Sequence, residues 1–192
     1  GAARTGYGGT MTLEQRVLEH LQRGAVESAC TLVLRELGPG LRGYLESVLR
    51  DGRLADEAWA QASGDVWRGL PAYRGGSTLK TYVYRIGWHA SLKVLRDPYR
   101  RRRASLSQAP EQAVVARSET ALHLRSDVKA KVRAAREQLT VAEQALLVLR
   151  VDRGMSWDEV AASLGTAPAA ARKRFERVKA KLRCVIAGPR RG

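Results

Sequence analysis

An all-α protein built from two small helical domains, a bundle followed by a helix-turn-helix unit, is what this sequence predicts. No alternating apolar–polar run of strand length occurs in its 192 residues, so nothing argues for a sheet. Three stretches ahead of helically patterned segments instead pair a hydroxyl residue with Glu or Gln three positions later: Thr12–Gln15, Thr140–Glu143 and Ser156–Glu159. Each is the signature of a capped helix start. Residues 104–126 lose the helical period to Ser, Gln, Ala and Pro110, a composition suited to a linker between two domains.

Taken in order, residues 1–11 are Gly-rich and read as a tail or a vector remnant. A first helix follows Thr12, with Leu13, Val17 and Leu21 on one face and Gly24 as its stop. A second runs from Val26 to Leu37 and is expected to end at Gly38-Pro39-Gly40, with a third from Leu41 to Leu49. A fourth begins near Leu54 and ends at Gly69. After the loop Tyr73–Ser77, Ser77 or Thr78 caps a long helix to Arg96, which Asp97-Pro98 terminates. Four consecutive arginines, Arg100–Arg103, close the first domain, residues 12–103. The second domain, residues 127–187, holds helices over Val128–Leu139, from Thr140 through Val151, from Ser156 to Leu164-Gly165, and from Pro168 to about Ile186.

There are 34 Lys and Arg against 19 Asp and Glu, a formal charge of +15. Such a surface attracts polyanions, nucleic acid before membrane. The sequence contains no apolar stretch long enough to span a bilayer and no charged-then-apolar opening segment. Cys30 and Cys184 stand far apart and in no zinc-ligand spacing, which reads as free thiols in a reducing cytoplasm and no metal cofactor. His89 is distant from His20 and His123 and reads as a polar contact.

Two capped helices around a Gly-containing turn, the second rich in Lys and Arg, form a helix-turn-helix pattern. A helix fits the major groove and reads base edges from its first turns, and the preceding helix crosses the backbone. Val160, Ala161 and Leu164 supply the packing face of the first helix, and Ala171, Phe175, Val178 and Leu182 that of the second. Arg172, Lys173, Arg174 and Arg177 are left outside that stripe. A bundle helix with a solvated basic face is the alternative, but solvated faces usually mix signs and only Glu176 is acidic between Arg172 and Arg183.

Seven of the eleven aromatics lie between Trp59 and Tyr99 in the first domain: Trp59, Trp67, Tyr73, Tyr82, Tyr84, Trp88 and Tyr99. On the long helix, Leu79, Val83, Ile86, Ala90 and Val94 share one face, and Lys80, Tyr84, Arg85 and Trp88 a sector roughly opposite. Base–aromatic stacking contributes about 1–3 kcal/mol per base, and flanking cations hold phosphates, so this sector suits single-stranded DNA. The alternative is that Tyr84 and Trp88 pack against the earlier helices.

These residues resemble a known family. The order Val66-Trp67-Arg68-Gly69-Leu70-Pro71, then Tyr73-Arg74-Gly75-Gly76-Ser77-Thr78-Leu79-Lys80-Thr81-Tyr82-Val83-Tyr84-Arg85-Ile86, a basic run, a linker and a terminal helix-turn-helix is similar to that of bacterial sigma factors of the extracytoplasmic-function group. The second domain carries the same resemblance in Ala145–Arg150, Gly154–Ala161 and Arg172-Lys173-Arg174. The resemblance implies a non-enzymatic subunit of RNA polymerase with only regions 2 and 4, residing in the cytoplasm and needing no cofactor. It implies docking on the β′ clamp helices through Asp56, Glu57 and Gln61, and contact with the β flap. It implies minus-10 reading and melting by Arg74, Ser77, Lys80, Thr81, Tyr84, Arg85 and Trp88, and minus-35 reading by Arg172, Lys173, Arg174 and Arg177. An anti-sigma factor, which can hold such a subunit at the membrane, is a further implied partner. The chain departs from the family pattern at Ala58–Gly64, at Gly87-Trp88-His89 and at Lys93.

Two other classes compete. A stand-alone helix-turn-helix regulator would need only the second domain and would bind duplex without polymerase, leaving the aromatic helix and Arg100–Arg103 unused. A nucleic-acid enzyme would need a metal-binding carboxylate set, and Asp51, Asp56, Glu57 and Asp65 read better as a partner-facing surface.

Overall fold

The structure, a computed structural model, describes residues 11–96 and 134–187, and every regular element among them is helical. The predicted linker, Arg100–Arg103 and most of the helix expected over Val128–Leu139 lie outside those residues. Helix α1 (Leu13–Gln22) starts at Thr12 through the predicted reciprocal cap: Gln15 N–H donates to Thr12 Oγ1 at 3.2 Å and Thr12 N–H to Gln15 Oε1 at 2.8 Å. Such a cap contributes about 1 kcal/mol. Gly24 turns the chain at a φ of 74°, which a side chain would resist.

Helix α2 (Val26–Leu49) corrects the sequence reading, because one unbroken 24-residue helix stands where two were expected. Pro39 sits on its exposed side, where the carbonyl that loses its helical partner can turn to water. The flanking glycines are packing sites and not a break. A Cβ on Gly38 would lie 3.0 Å from the Trp59 ring, and one on Gly40 3.0 Å from Tyr84 Oη. The helix ends at Arg50, whose φ of 54° makes it the only non-glycine in the left-handed region among the described residues. That conformation costs about 1 kcal/mol.

Asp51 accepts from Leu54 N–H at 3.0 Å and starts α3 (Gly52–Gly69). Ala55, Ala58 and Ala62 line its buried side, so α3 and α4 (Leu79–Arg96) pack closely. Thr78, not Ser77, caps α4, its Oγ1 accepting from Thr81 N–H at 3.2 Å. Gly87 marks the crossing of α4 over α2: a Cβ there would stand 2.5 Å from Leu41 Cδ1.

In the C-terminal half, the Thr140–Glu143 box opens α5 (Val141–Leu147), which continues into a π-helical turn over Val148–Asp152. The Ser156–Glu159 box opens α6 (Trp157–Leu164), Gly165 closes it at a φ of 65°, and α7 (Pro168–Ala187) follows. This half does not stand apart. Leu41, Tyr44 and Tyr84 of the first half and Ala145, Val148, Leu149, Met155, Val160 and Ala171 of the second belong to one continuous apolar core. A smaller cluster of Leu139, Leu147 and Val178 holds α7 to α5.

The Gly87 crossing has no spare volume, and overpacking of this kind costs about 1–3 kcal/mol. Gly87→Ala should therefore lower unfolding stability by about 2 kcal/mol in a urea titration. Gly52→Ala, where a Cβ meets nothing within 4 Å, should be neutral or stabilising by up to about 1 kcal/mol.

Candidate nucleic-acid interface

Helix α7 presents its cations as the spacing required. Ala171 and Val178 are buried, Phe175 is half-buried, and Arg172, Lys173, Arg174 and Arg177 are all exposed. None of the four has a hydrogen-bond or ion-pair partner among the described residues. Two other cations of the helix differ: Lys179 pairs with Glu176 at 2.8 Å, and Lys181 with Glu143 at 3.0 Å. The quartet lies within the first three turns, the part of a recognition helix that reaches base edges, and Arg183 is a further exposed cation near the other end. Helix α6 is set against α7 by Trp157, edge-on to Phe175 with ring centroids 5.3 Å apart. Arg150 fixes the turn before α6, its guanidinium 4.7 Å over the Trp157 ring and donating to the Met155 carbonyl at 2.6 Å.

Helix α4 is arranged differently from the expected open sector. Arg74, Ser77 and Arg85 are exposed, but Thr81, Tyr84 and Trp88 retain only 2%, 3% and 8% of their surface. The Tyr84 ring stands edge-on to Tyr44 of α2 at 5.4 Å, and the Arg153 guanidinium lies 6.0 Å from it. Burial pushes the Tyr84 and Tyr44 phenols well above their ordinary pKa, so both remain neutral. Lys80 is half-buried and donates to the Arg153 carbonyl at 2.6 Å. Thr78 Oγ1 bonds Glu159 Oε1 at 3.1 Å, and Ser163 Oγ donates to the Thr81 carbonyl at 3.5 Å. The reason is packing: α4 is in contact with α2, α3 and α6, so it buries more than the single stripe a helical wheel marks. Arg74 is held to its own loop, donating to the Pro71 and Tyr73 carbonyls at 2.6 and 3.1 Å.

On α3, Asp56 is exposed and pairs with Arg42 at 2.6 Å. Gln61 donates to Asp65 at 2.9 Å and accepts from Lys93 at 3.2 Å. Glu57, Gln61, His89, Leu92 and Lys93 line a shallow groove between α3 and α4, so two of the three expected docking residues meet there, while Asp56 is turned to Arg42 of α2. Among the described residues there is no group of His, Cys, Asp or Glu that could hold a metal ion, and no helix is long and apolar enough to cross a membrane.

Two residues that the sequence did not single out, Arg50 and Arg153, join the halves. Arg50 donates to the carbonyls of Arg136, Glu137 and Leu139 at 3.2, 2.7 and 2.7 Å. Nothing in the pattern around either arginine marks a partner so distant in sequence, 86 to 89 residues away for Arg50 and 73 for Arg153 with Lys80.

No protein-family model matches the sequence, and no curated protein is significantly similar to it. Solved structures share its fold. One is the sigma factor RpoE in complex with the anti-sigma factor NepR from Bartonella quintana, at 20% identity and a TM-score of 0.63, covering 85% of this chain and 98% of that one. Another is CnrH in complex with the cytosolic domain of CnrY, at 17% identity and a TM-score of 0.60, covering 89% and 95%. The all-α fold is therefore shared along most of the chain.

Three carboxylates titrate below the usual range. For Glu159 the Ser156 backbone N–H is the main cause and outweighs burial, helped by the Ser156 and Thr78 hydroxyls and the Lys80 charge. For Glu143, burial pulls the other way and is overcome by Thr140 and Lys181; for Asp65, burial is overcome by Gln61, Arg68 and Lys93. A depressed folded-state pKa contributes stability that is present above the unfolded value and lost as pH falls through the folded one. Thermal melting should therefore be level from about pH 8 to about pH 5 and decline below that. Glu159→Gln should melt lower at neutral pH and lose less on acidification, as read by circular dichroism.

Proposed function

We propose that this protein is a sigma factor of the extracytoplasmic-function type, directing core RNA polymerase to a set of promoters. The observation that supports this most is a recognition helix with four unpartnered cations, joined to a helical body whose fold is that of a sigma factor over nearly the whole of the latter's length. In this reading Arg172, Lys173, Arg174 and Arg177 read the minus-35 duplex. A bidentate Arg–guanine contact is worth about 1–3 kcal/mol of discrimination. Arg74, Ser77, Lys80, Thr81, Tyr84, Arg85 and Trp88 take the minus-10 strand, with the aromatic rings offsetting the few kcal/mol that each opened base step costs. Asp56, Glu57 and Gln61 meet the β′ clamp helices from the α3 side, and the C-terminal half meets the β flap. Residues 12–103 and 127–187 then serve as regions 2 and 4, in the cytoplasm and without a cofactor. An anti-sigma factor is a fitting regulator, since the RpoE structure was captured with one.

A second reading has one observation in its favour. The α7 face is open and the α4 face covered, as suits a plain duplex-binding regulator. Run-off transcription on genomic fragments separates the two. With purified core polymerase the protein should produce discrete new start sites, and Arg172→Ala/Arg174→Ala should reduce them at least tenfold. No new starts, together with tight duplex binding by the protein alone, would favour the regulator.

A further inference from the structure

We infer that Glu176 is a specificity-determining residue of α7, and that its carboxylate reads the N4 amino group of a cytosine in the major groove. The inference rests on the proposed role of α7 as the duplex-reading helix, which the sigma-factor and plain-regulator readings share. Glu176 is the only acid in α7, and its place on the helix is not that of a peripheral counter-charge. Ala171 and Val178 are buried and Phe175 is half-buried, which fixes the side of α7 that packs. Residue 176 follows Arg172 by four positions and Lys173 by three, so its carboxylate stands between those two cations on the helix surface. Ala169, exposed one turn earlier, extends the same outward stripe. A groove that brings base edges to Arg172 and Lys173 brings them to Glu176 as well.

An acid in the middle of a phosphate-seeking face weakens binding unless the groove offers it a donor. In the free protein Glu176 is 66% exposed and pairs with Lys179 at 2.8 Å, and the Lys179 ammonium lies 5.5 Å from the centre of the Phe175 ring. An exposed pair of this kind adds little stability, so it gives way readily: the ammonium can turn to a phosphate and the carboxylate to a base. An ionised carboxylate has acceptors only, which narrows its choice. Guanine shows it N7 and O6, and thymine shows it O4, all of them acceptors. Adenine places its N6 donor beside the N7 acceptor, which an amide can satisfy and a carboxylate cannot. Cytosine presents the N4 donor with no acceptor of its own beside it. The same group that is a liability over three bases is an attraction over the fourth.

Randomised duplexes are selected and sequenced with the full chain, alone and assembled with core polymerase, for the parent, Glu176→Gln, Glu176→Ala and Arg172→Ala. Far-UV circular dichroism checks that each variant is folded. The parent should enrich cytosine at one position. Glu176→Gln should shift that position alone to adenine, whose N6 and N7 an amide takes together, and Glu176→Ala should leave it without preference. A duplex carrying 2-pyrimidinone, which lacks the N4 amino group, in place of that cytosine should bind the parent about tenfold more weakly in fluorescence anisotropy. For Glu176→Ala the two duplexes should agree within about twofold. If both Glu176 variants bind every duplex more tightly by a common factor, with base preferences unchanged, the acid only tempers the charge of the helix and the inference is overturned. The duplex-reading role of α7 then still stands on the altered selection by Arg172→Ala. A parent that enriches no sequence, or an Arg172→Ala selection identical to the parent's, overturns that role and the inference with it.

Discussion

The close approach of α2 to α4, where Gly40 and Gly87 let backbone and side chain meet, is the contact on which the rest of the molecule is built. Leu41 occupies the space a side chain on Gly87 would take, and the Tyr84 hydroxyl the space of one on Gly40. The gain is shared dispersion and buried apolar area along one long helix, which close packing converts into a rigid seat. One turn further along α2, Gly43 admits the Arg153 guanidinium. The same helix therefore supports α3 through Gly38 and Trp59, α4 through Gly40, and the π-helical turn through Gly43. A break at Pro39 would have separated these supports, and with them the two halves of the chain.

What the sequence made legible is governed by local chemistry. The boxes at Thr12, Thr140 and Ser156, the stop at Gly165 and the packing stripe of α7 all rest on groups within four residues of one another. What it left hidden is non-local. Gly38-Pro39-Gly40 carries the composition of a turn, and only the Trp59 and Tyr84 rings arriving from other helices reveal it as a packing surface. The wheel of α4 marked one buried face, but Thr81, Tyr84 and Trp88 are buried as well, Tyr84 against Tyr44 of α2 and Thr81 beside Ser163 of the C-terminal half. Of the candidate site, Arg172, Lys173, Arg174 and Arg177 were readable as exposed cations. Arg50 and Arg153 could not be read, since their partners are set by how the halves meet.

The charge of +15 is distributed in a way that separates structural from available cations. Arg42, Arg68, Lys93, Arg136, Lys179 and Lys181 are matched to carboxylates or amides near them, and exposed pairs of this kind add little stability. Lys80 and Arg50 donate to carbonyls across the junction, and the Arg153 guanidinium lies against the Tyr84 ring. The quartet on α7 forms no ion pair among the described residues, so its charge stays available to a polyanion. The first class concerns folding, the second arrangement, and the third ligand.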